Sequence, residues 1–315
     1  MKKILIASGG TGGHIFPAIV FGKSLQEKGN IVSWLCGSRE LEGAIYRSSG
    51  IEPVMLPLSG SPMGTRSVKK IFTRLLDVFR SISLTAKYIK SFKPDEIYLF
   101  GGYISFAPLI IAKVKGIPVT LHEQNAVAGR VTRMASRMGA KIITGWPVCE
   151  GIKDFEYTGT PVREPVRLPR DEALKALGVK VREGAKIVGV IGGSLGSGPL
   201  NEILRKSAEL CPEYEFLFLS SKDKHDEGNR HFLPAQWDMN PFYSVCDVIV
   251  CRSGGSTLSE ALKWGMPAVA IPWPGAMDNH QAKNAAEFVK LSGNGRIFNE
   301  NDSPENLAEL IKGMM

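Results

Sequence analysis

The sequence predicts two α/β domains, each with a parallel sheet, that face each other across a cleft. Short apolar segments ending in glycine alternate along the chain with helix-like segments, as expected of βαβ units. Residues 3–8 are mostly apolar and run into glycines, and residues 186–191 repeat this transition in the middle of the chain. Because each half opens in the same way, we predict two Rossmann-like domains.

Length and composition agree with a two-domain globular protein. The chain has 315 residues, which is long for a single core, with 43% hydrophobic and 22% charged residues. Periodicity is lost in residues 157–169, where one glycine and three prolines occur. We therefore predict domains of residues 1–163 and 164–315.

The strands are predicted from short apolar runs bounded by glycine or proline. Helices are predicted at 14–28 and 258–264, each directly after a glycine-rich loop. The predicted strands are residues 3–8, 31–36, 96–100, 119–122 and 141–144 in the first half, and 186–191, 215–219, 248–251 and 268–271 in the second.

Charge, cysteine content and the distribution of apolar residues indicate which partners and which cellular compartment to expect. A net charge of +8 favours an anionic partner such as a nucleotide, a nucleic acid or a lipid surface, although a scattered basic surface gives the same total. The five cysteines include no C-x-x-C pair, so we expect reduced, buried thiols in a cytoplasm. Glycines interrupt the first 22 residues and the uncharged run 97–112 is short, so neither a signal peptide nor a membrane span is expected.

Glycine-rich loops follow predicted strands at residues 9–13, 101–102, 192–196 and 254–257. Glycine lets backbone amides approach a ligand, and a following helix adds partial positive charge. A single loop of this kind can be a simple turn. Their recurrence at strand ends predicts a phosphorylated ligand.

Other nucleotide and metal chemistries are disfavoured. Ile15 replaces the third glycine of G-x-G-x-x-G, and the second strand ends without an acid for a ribose, which argues against a dinucleotide oxidoreductase. The chain contains no G-x-x-x-x-G-K-[ST] sequence, which argues against a P-loop nucleotide-binding enzyme. Its five histidines are dispersed, so no metal site is predicted.

Polar residues beside the glycine loops are candidates for chemistry. His14 can accept a proton from a sugar hydroxyl, or only contact its own loop. Glu260 can accept hydrogen bonds from ribose hydroxyls, or simply complement the helix dipole. The segment Asp278 to Gln281, with Asn284, suits a sugar, and Asp278 is also expected to cap a helix.

Residues 66–90 form a basic amphipathic segment with two possible roles. Its apolar face is formed by Val68, Ile71, Leu75, Leu76 and Phe79, and its charge by Lys69, Lys70, Arg74, Arg80, Lys87 and Lys90. Such a helix, with Phe72 or Phe79 exposed, can lie on an anionic bilayer. Alternatively, the apolar face packs on the domain core.

These motifs together resemble those of the MurG family, the N-acetylglucosaminyltransferases that act on lipid-linked muramoyl-pentapeptide in peptidoglycan synthesis. The resemblance covers residues 1 to about 290. It rests on GGTGGH at 9–14, GGY at 101–103, HEQN at 122–125, GTPVR at 159–163, GGS at 192–194, CRSG at 251–254 and DNHQ at 278–281.

The resemblance implies a GT-B type glycosyltransferase that needs no metal or other cofactor and inverts the anomeric centre. UDP-GlcNAc is expected on residues 164–315 and lipid I on residues 1–163, with the acceptor's 4-hydroxyl as the nucleophile. Residues 66–90 are expected to hold the enzyme peripherally on the cytoplasmic face of the anionic cell membrane. No nucleic acid partner is expected.

The resemblance also implies roles for individual residues. By resemblance, His14 is expected in catalysis or at the acceptor diphosphate. From their positions at strand ends, His14 is the first candidate for the catalytic base and Glu123 the second. Ser194 and the 254–257 loop are expected at the donor diphosphate, Gln236 at uracil, Glu260 at the ribose, and His280 and Gln281 at the GlcNAc hydroxyls. The expected substrate-binding residues are Thr11, Gly12, Gly13, Asn125, Arg163, Ser194, Gln236, Arg252, Gly254, Gly255, Ser256, Thr257, Glu260, His280 and Gln281.

The sequence departs from the family pattern at several places. His280 replaces the usual glutamine, and Ala-Gln-Trp at 235–237 alters the expected uracil pocket. The chain ends at Met315, where relatives usually continue through helices, so a shortened closing contact is expected. The alternatives are a UDP-sugar epimerase and a nucleotide-sugar-binding regulator on the same scaffold.

Overall fold

The structure is a computed structural model that describes residues 1–60, 68–192, 198–219 and 224–315. The side chains of 68–70, 198 and 199 are not among those described. The chain divides into two compact units, Met1–Val162 (unit 1) and Arg163–Met315 (unit 2). Each unit is an α/β domain around a parallel sheet.

In the described part of unit 1 the sheet has the strand order β3-β2-β1-β4-β5-β6-β7, and every pairing is parallel. A 3-10 turn covers Tyr103–Ser105. The strands are β1 (Lys3–Ala7), β2 (Ile31–Cys36), β3 (Val54–Met55), β4 (Glu96–Leu99), β5 (Val119–Glu123), β6 (Lys141–Thr144) and β7 (Glu156–Tyr157). The helices are α1 (Gly12–Glu27), α2 (Glu40–Ser48), α3 (Val68–Phe92), α4 (Phe106–Lys115) and α5 (Arg130–Arg137).

Unit 2 has the order β10-β11-β9-β8-β12-β13-β14 over its described strands, and only the β10–β11 hairpin among them is antiparallel. Its strands are β8 (Ile187–Ile191), β9 (Glu215–Leu219), β10 (His225–Glu227), β11 (Arg230–Leu233), β12 (Val248–Arg252), β13 (Ala268–Ile271) and β14 (Gly295–Ile297). Its helices are α6 (Arg170–Leu177), α7 (Gly198–Glu209), α8 (Asn240–Val245), α9 (Gly255–Trp264), α10 (His280–Ser292) and α11 (Pro304–Lys312), with a 3-10 turn at Met277–Asn279.

The strand order creates one topological switch point in each sheet, and parallel α/β sheets bind ligands in a crevice at such a point. In unit 1, β1 pairs with β2 on one side and with β4 on the other, so the connections leaving β1 and β4 run in opposite directions. The glycines at 9–13 and 101–102 therefore belong to one crevice. In unit 2, β8 and β12 are neighbours in the same way. The 254–257 loop lies at that second crevice, whereas residues 193–197 are outside the described ranges.

The glycine loops are shorter than the sequence predicts, because their last residues already belong to helices. Helix α1 begins at Gly12 and α9 at Gly255, two and three residues before the predicted starts. Backbone amides at these positions therefore lie in the first turn of a helix, where they have no partner within the helix itself.

Both faces of the unit 1 sheet are buried. Along β1, Ile4 and Ile6 pack with Ile15 of α1, while Leu5 and Ala7 face the opposite core. Helix α1 lies close against the sheet at Gly22, where an added Cβ would lie 2.8 Å from Ile6 Cδ1 and 2.8 Å from Trp34 Cζ2. Gly22 therefore sets the distance between the sheet and the helix that carries His14.

Helix α3 does not pack its apolar face on the core, so that alternative was wrong. Phe72, Leu75, Leu76 and Phe79 are 63%, 43%, 41% and 68% exposed. The stripe that faces the core of unit 1 instead contains Val78, Ser81, Thr85, Ile89 and Phe92. The hydrophobic pattern of the sequence does not indicate this stripe, because Ser81 and Thr85 are polar yet fully buried.

All five cysteines are buried and free of disulfides, in agreement with the expected buried thiols. Within the described ranges, no helix combines the length and the hydrophobicity needed to cross a bilayer.

Substituting Gly22→Ala should destabilise the protein even though alanine favours helices. The added methyl would collide with Ile6 and Trp34, and overpacking of this kind costs about 1–3 kcal/mol. Urea unfolding should therefore show an earlier transition. The control, Lys23→Ala at the exposed neighbouring position, should change stability by less than about 0.5 kcal/mol. Equal stability of the two variants would contradict this close packing.

Candidate functional site

The unit 1 crevice is formed by the first turn of α1 and the glycines after β4. Thr11 is the N-cap of α1, and its carbonyl accepts hydrogen bonds from the backbone N–H groups of His14 and Ile15 at 3.1 and 3.2 Å. Gly101 has φ +74°, and an added Cβ there would lie 3.4 Å from His14 Cε1. A glycine at 101 therefore leaves room for the partly exposed imidazole.

The His14 ring is held by the end of β5. Its Nδ1 lies 2.8 Å from Oε1 of Gln124. The Gln124 amide nitrogen lies 3.2 Å from Nδ1 of His122, whose Nε2 lies 2.9 Å from the carbonyl oxygen of Gly159. Burial lowers the pKa of His122 to about 4, so this second imidazole is neutral at physiological pH.

Glu123 is buried and anchors the loop that follows β5. Its Oε1 accepts from the backbone N and side-chain Nδ2 of Asn125, both at 3.1 Å. Its Oε2 accepts from the backbone N of Gly129 at 3.0 Å and from Oγ1 of Thr132 at 2.5 Å. Since both carboxylate oxygens are engaged in this loop, the geometry favours His14 over Glu123 as the base.

The unit 2 crevice contains the N-terminus of α9. Gly254 is the N-cap in an extended conformation, and Gly255, Ser256 and Thr257 form the first turn. The neighbouring Ser253 is fully buried, and its Oγ has no hydrogen-bond partner within the described structure. This helix end suits an anionic ligand. Ser194, predicted for the same ligand, lies outside the described residues.

Glu260 lies in a helix, as predicted, but in its second turn because α9 begins at Gly255. It has two partners that the sequence did not indicate. Arg163 Nη2 lies 3.3 Å from Oε1, and the Tyr243 hydroxyl donates to Oε2 at 3.2 Å. Burial raises the pKa of the Glu260 carboxyl, while Arg163 opposes this rise. The carboxylate is thus largely buried, yet paired with a cation.

Arg163 also connects the two predicted nucleoside contacts. Its Nη1 donates to the carbonyl oxygen of Trp237, directly after Gln236. The Gln236 side chain donates to the carbonyl oxygen of Pro234 at 3.0 Å, which fixes the local turn. One guanidinium therefore links the segment predicted for uracil to the carboxylate predicted for the ribose.

Arg252 forms a well-aligned ion pair at the end of β12. Its Nη1 and Nη2 lie 2.7 and 2.9 Å from the two carboxylate oxygens of Glu300, and both side chains are largely buried. Predicted as a substrate-binding residue, Arg252 thus carries a charge that is compensated within unit 2.

The start of α10 presents the predicted sugar-binding residues. His280 Nδ1 donates to the carbonyl oxygen of Met277 at 2.8 Å, and Gln281 Oε1 accepts from the backbone N of Trp273 at 2.9 Å. These contacts orient both side chains. Neutral His280 then offers an acceptor at Nε2, and Gln281 offers its amide hydrogens.

Two expectations near α10 were wrong. Asp278 does not cap the helix, because α10 begins at His280 with Asn279 as N-cap, and Asp278 and Asn279 both have left-handed backbones, φ +52° and +53°. Asn284 is fully buried and donates to the carbonyl oxygen of Ser253 at 3.0 Å. It therefore braces the loop before α9 instead of lining a sugar site.

The structure brings the predicted residues together in two groups. Unit 1 holds Thr11, Gly12, Gly13 and His14 near Gln124, and unit 2 holds α9 and Glu260 near Arg163. Sequence reasoning gave no role to Gln124 or His122, although the HEQN block contains both. Tyr243 had no sequence signal. Among the described residues, no three His, Cys, Asp or Glu side chains are arranged to hold a metal ion.

Comparison with known proteins agrees with this architecture. The glycosyltransferase family 28 N-terminal domain matches residues 4–144, and the family 28 C-terminal domain matches residues 187–315. The crystal structure of Acinetobacter baumannii MurG is similar with a TM-score of 0.73 and 26% identity, covering 100% of this chain and 91% of that one. The glycosyltransferase of kitacinnamycin, 15% identical with a TM-score of 0.65, covers 99% and 90% and shares the fold.

Curated relatives carry one common name, UDP-N-acetylglucosamine--N-acetylmuramyl-(pentapeptide) pyrophosphoryl-undecaprenol N-acetylglucosamine transferase. The protein of this name from Cupriavidus metallidurans is 30% identical over 99% of this chain and 89% of its own length. The one from Pseudomonas paraeruginosa is 30% identical over 94% and 84%. With this similarity across nearly the whole length and both family 28 domains in order, the chain is a glycosyltransferase and belongs to the MurG family.

Proposed function

We propose that this enzyme transfers GlcNAc from UDP-GlcNAc to the 4-hydroxyl of lipid-linked MurNAc-pentapeptide, converting lipid I to lipid II in peptidoglycan synthesis. The shared name of its relatives gives the donor and the acceptor class. The structural observation that carries the proposal is His14, an oriented imidazole at the switch point of unit 1. An imidazole placed there can accept the proton of an attacking hydroxyl.

The reaction is a single displacement with inversion. The acceptor's 4-hydroxyl oxygen attacks C1 of GlcNAc from the face opposite UDP, and the bond between C1 and the phosphate oxygen breaks. The hydroxyl proton goes to His14, and the bonding electron pair leaves with UDP. Backbone amides in the first turn of α9, supported by the helix dipole, stabilise the departing diphosphate, so the step needs no metal ion.

The donor is held by unit 2 in this proposal. Glu260 accepts hydrogen bonds from the ribose hydroxyls, and the backbone around Gln236 contacts the uracil. Arg163 keeps these two elements in register through its contacts with Glu260 and Trp237. His280 and Gln281 bind GlcNAc hydroxyls, with His280 accepting a hydrogen bond and Gln281 donating one. The remaining substrate-binding residues of this proposal are on unit 1: Thr11, Gly12, Gly13 and Asn125.

Neither alternative is favoured. Epimerisation needs no lipid-linked acceptor and a regulator needs no base, whereas the relatives and both domain families are glycosyltransferases. Incubation with UDP-GlcNAc and a lipid I analogue distinguishes the three functions. Release of UDP that requires the acceptor supports transfer. Isomerisation of the sugar without acceptor, or binding with neither product, would contradict it.

His14→Ala should lower kcat by roughly 10²–10⁴-fold, the usual contribution of a general base. The KM for UDP-GlcNAc should change little, because the donor is proposed to be held by unit 2. Steady-state kinetics with the lipid I analogue measures both constants. His225→Ala, which removes an exposed histidine of β10, is the control and should leave kcat unaffected. Turnover near wild type in His14→Ala would disprove the base assignment.

Glu260→Gln should weaken donor binding. The change removes the negative charge that pairs with Arg163 and one acceptor for a ribose hydroxyl, and a hydrogen bond to a charged group is worth about 1.5–3 kcal/mol. We expect the Kd for UDP to rise roughly 10- to 100-fold in calorimetry. Glu164→Gln, the same substitution at an exposed position, is the matched control. An unchanged Kd for Glu260→Gln would remove this residue from the donor site.

We also propose that the exposed face of α3 holds the enzyme peripherally on the cytoplasmic face of the anionic cell membrane. Phe72 and Phe79 project from a helix that carries several basic residues, and burying such side chains in a bilayer interface is favourable. The net charge of +8 adds attraction to anionic lipids. Nucleic acid is not part of this proposal.

The double variant Phe72→Ser, Phe79→Ser should bind vesicles containing anionic lipid at least about tenfold more weakly, since apolar area is lost from the interface. Co-sedimentation with vesicles measures the partition. The matched control is Val166→Ser, Leu291→Ser, which removes comparably exposed apolar residues from unit 2. Equal binding by both double variants would exclude α3 as the membrane contact.

A further inference from the structure

The side-chain amide of Gln124 lies between two imidazoles and contacts each with a different end. Its Oε1 is 2.8 Å from Nδ1 of His14. Its Nε2 is 3.2 Å from Nδ1 of His122 and 3.1 Å from the carbonyl oxygen of the same residue. Gln124 and His122 are only 2% and 1% exposed, so each of these groups depends on its protein partner.

The direction of this hydrogen-bond chain is set at its far end. The carbonyl oxygen of Gly159 can only accept, so the hydrogen of His122 is on Nε2, 2.9 Å away. Because His122 is neutral, its Nδ1 carries a lone pair and accepts a hydrogen bond. Only the NH₂ end of Gln124 can donate that bond, and the carbonyl oxygen of His122 accepts from the same group.

With its NH₂ end committed to His122, Gln124 must direct its oxygen toward His14. An amide oxygen accepts and never donates, so Nδ1 of His14 carries the hydrogen. A neutral imidazole has one N–H. The lone pair of His14 is therefore on Nε2.

We propose that His122 and Gln124 are positioning residues that keep neutral His14 in the Nδ1–H tautomer, so that Nε2 receives the proton of the attacking hydroxyl. This inference rests on the proposed role of His14 as the base. The Nε2–H tautomer has its lone pair on Nδ1, which faces Gln124, and could not accept the proton at Nε2. An incorrect tautomer is costly in catalysis by histidine.

Packing keeps each member of the chain in place. The Phe100 ring stacks on His122 with a centroid distance of 5.5 Å and an interplanar angle of 17°. Trp146 Nε1 donates to the backbone oxygen of Gln124 at 2.9 Å. These contacts hold the His122 ring and the backbone of Gln124 in place, while the two hydrogen bonds of the Gln124 NH₂ group to His122 set the direction of its amide.

Titratable groups around the loops that carry His14 include His122 and Glu123 of β5, Tyr103 after β4, Glu42 of α2, and Arg39, whose Nη1 donates to the carbonyl oxygen of Gly10 at 3.2 Å. His122 is neutral, and the carboxylate of Glu123 is engaged by the loop toward Thr132. Tyr103 donates its hydroxyl to Glu42, and burial raises its pKa, so it stays protonated. Gln124 is thus a neutral partner at Nδ1, and a charge introduced at 124 should be felt directly by the His14 ring.

Nitrogen NMR of the full chain with ¹⁵N-labelled histidine tests the tautomer without any substrate. We expect His14 to carry hydrogen on Nδ1 and His122 to carry it on Nε2, with the resonances assigned from His14→Ala and His122→Asn. In Gln124→Leu, the Nε2–H form of His14 should increase. Wild-type His14 with hydrogen on Nε2, or a tautomer unaffected by Gln124→Leu, would overturn the inference. A failure of sugar transfer would leave this measurement intact and refute the proposed function instead.

Kinetics provides the second test. Gln124→Leu should lower kcat roughly 10- to 100-fold, part of what a general base contributes, with the KM for UDP-GlcNAc within about twofold. Gln124→Glu restores an acceptor for Nδ1–H and should recover activity relative to Gln124→Leu. The new negative charge favours the imidazolium, so His14 loses its proton only at higher pH. The acid limb of the kcat profile should therefore move up by about one pH unit.

Gln26→Glu is the matched control, because it adds the same charge at an exposed position near the other end of α1. It should leave the acid limb in place, since a solvated charge beyond a Debye length is screened. If Gln124 had only a packing role, Gln124→Glu and Gln124→Leu would lower kcat to a similar extent. Neither variant would then shift the acid limb of the kcat profile. That outcome would refute the positioning role.

Discussion

Burial of parallel strands on both faces is the constraint on which the rest of this structure depends. A strand such as β1 has to be apolar on both sides, because α1 covers one face, and α3 and α4 contribute to the core on the other. Right-handed crossovers then place successive strands outward from β1 and force the chain to reverse beside it. The loops after β1 and β4 are left at an uncovered edge, where backbone amides and His14 are accessible.

The second sheet has the same kind of switch point, with different side chains at its strand ends. Strands β8 and β12 are neighbours, and α9 begins at Gly255, directly after β12. Unit 1 places a titratable imidazole at its switch point, whereas unit 2 places a helix end and a paired carboxylate, Glu260. One fold thus supplies two kinds of site, and the residues at the strand ends give each site its chemistry.

Partnering of buried polar groups determines which of these residues can face a ligand. A buried charge without a partner is costly, so Glu123 is engaged by backbone amides, and Arg252 by Glu300. Each of these groups orients a neighbouring segment. The side chains that remain accessible, such as His14 and His280, are held by one hydrogen bond on one ring nitrogen, which assigns the role of the other.

Some features of the site could be predicted because they depend on local sequence. The glycines at 9–13 and 254–257 mark strand-to-helix transitions, and the place of Glu260 in a helix follows from its spacing after them. The packing face of α3 could not be predicted, because its buried stripe includes Ser81 and Thr85. The roles predicted for Asp278 and Asn284 were also wrong. The role of Asp278 depends on its left-handed backbone conformation, and that of Asn284 on a contact with the distant Ser253.

The sequence by itself determined where the buried central strands form, where glycines expose the backbone, and to which family the motifs point. Those properties arise from interactions between residues close together in the chain. Only the tertiary structure decided strand order, and only it brought Gln124 to His14 across 110 residues and Arg163 to Glu260 across 97. A hydrogen bond requires two particular atoms within about 3 Å, and for distant residues the packing of the whole domain sets that distance.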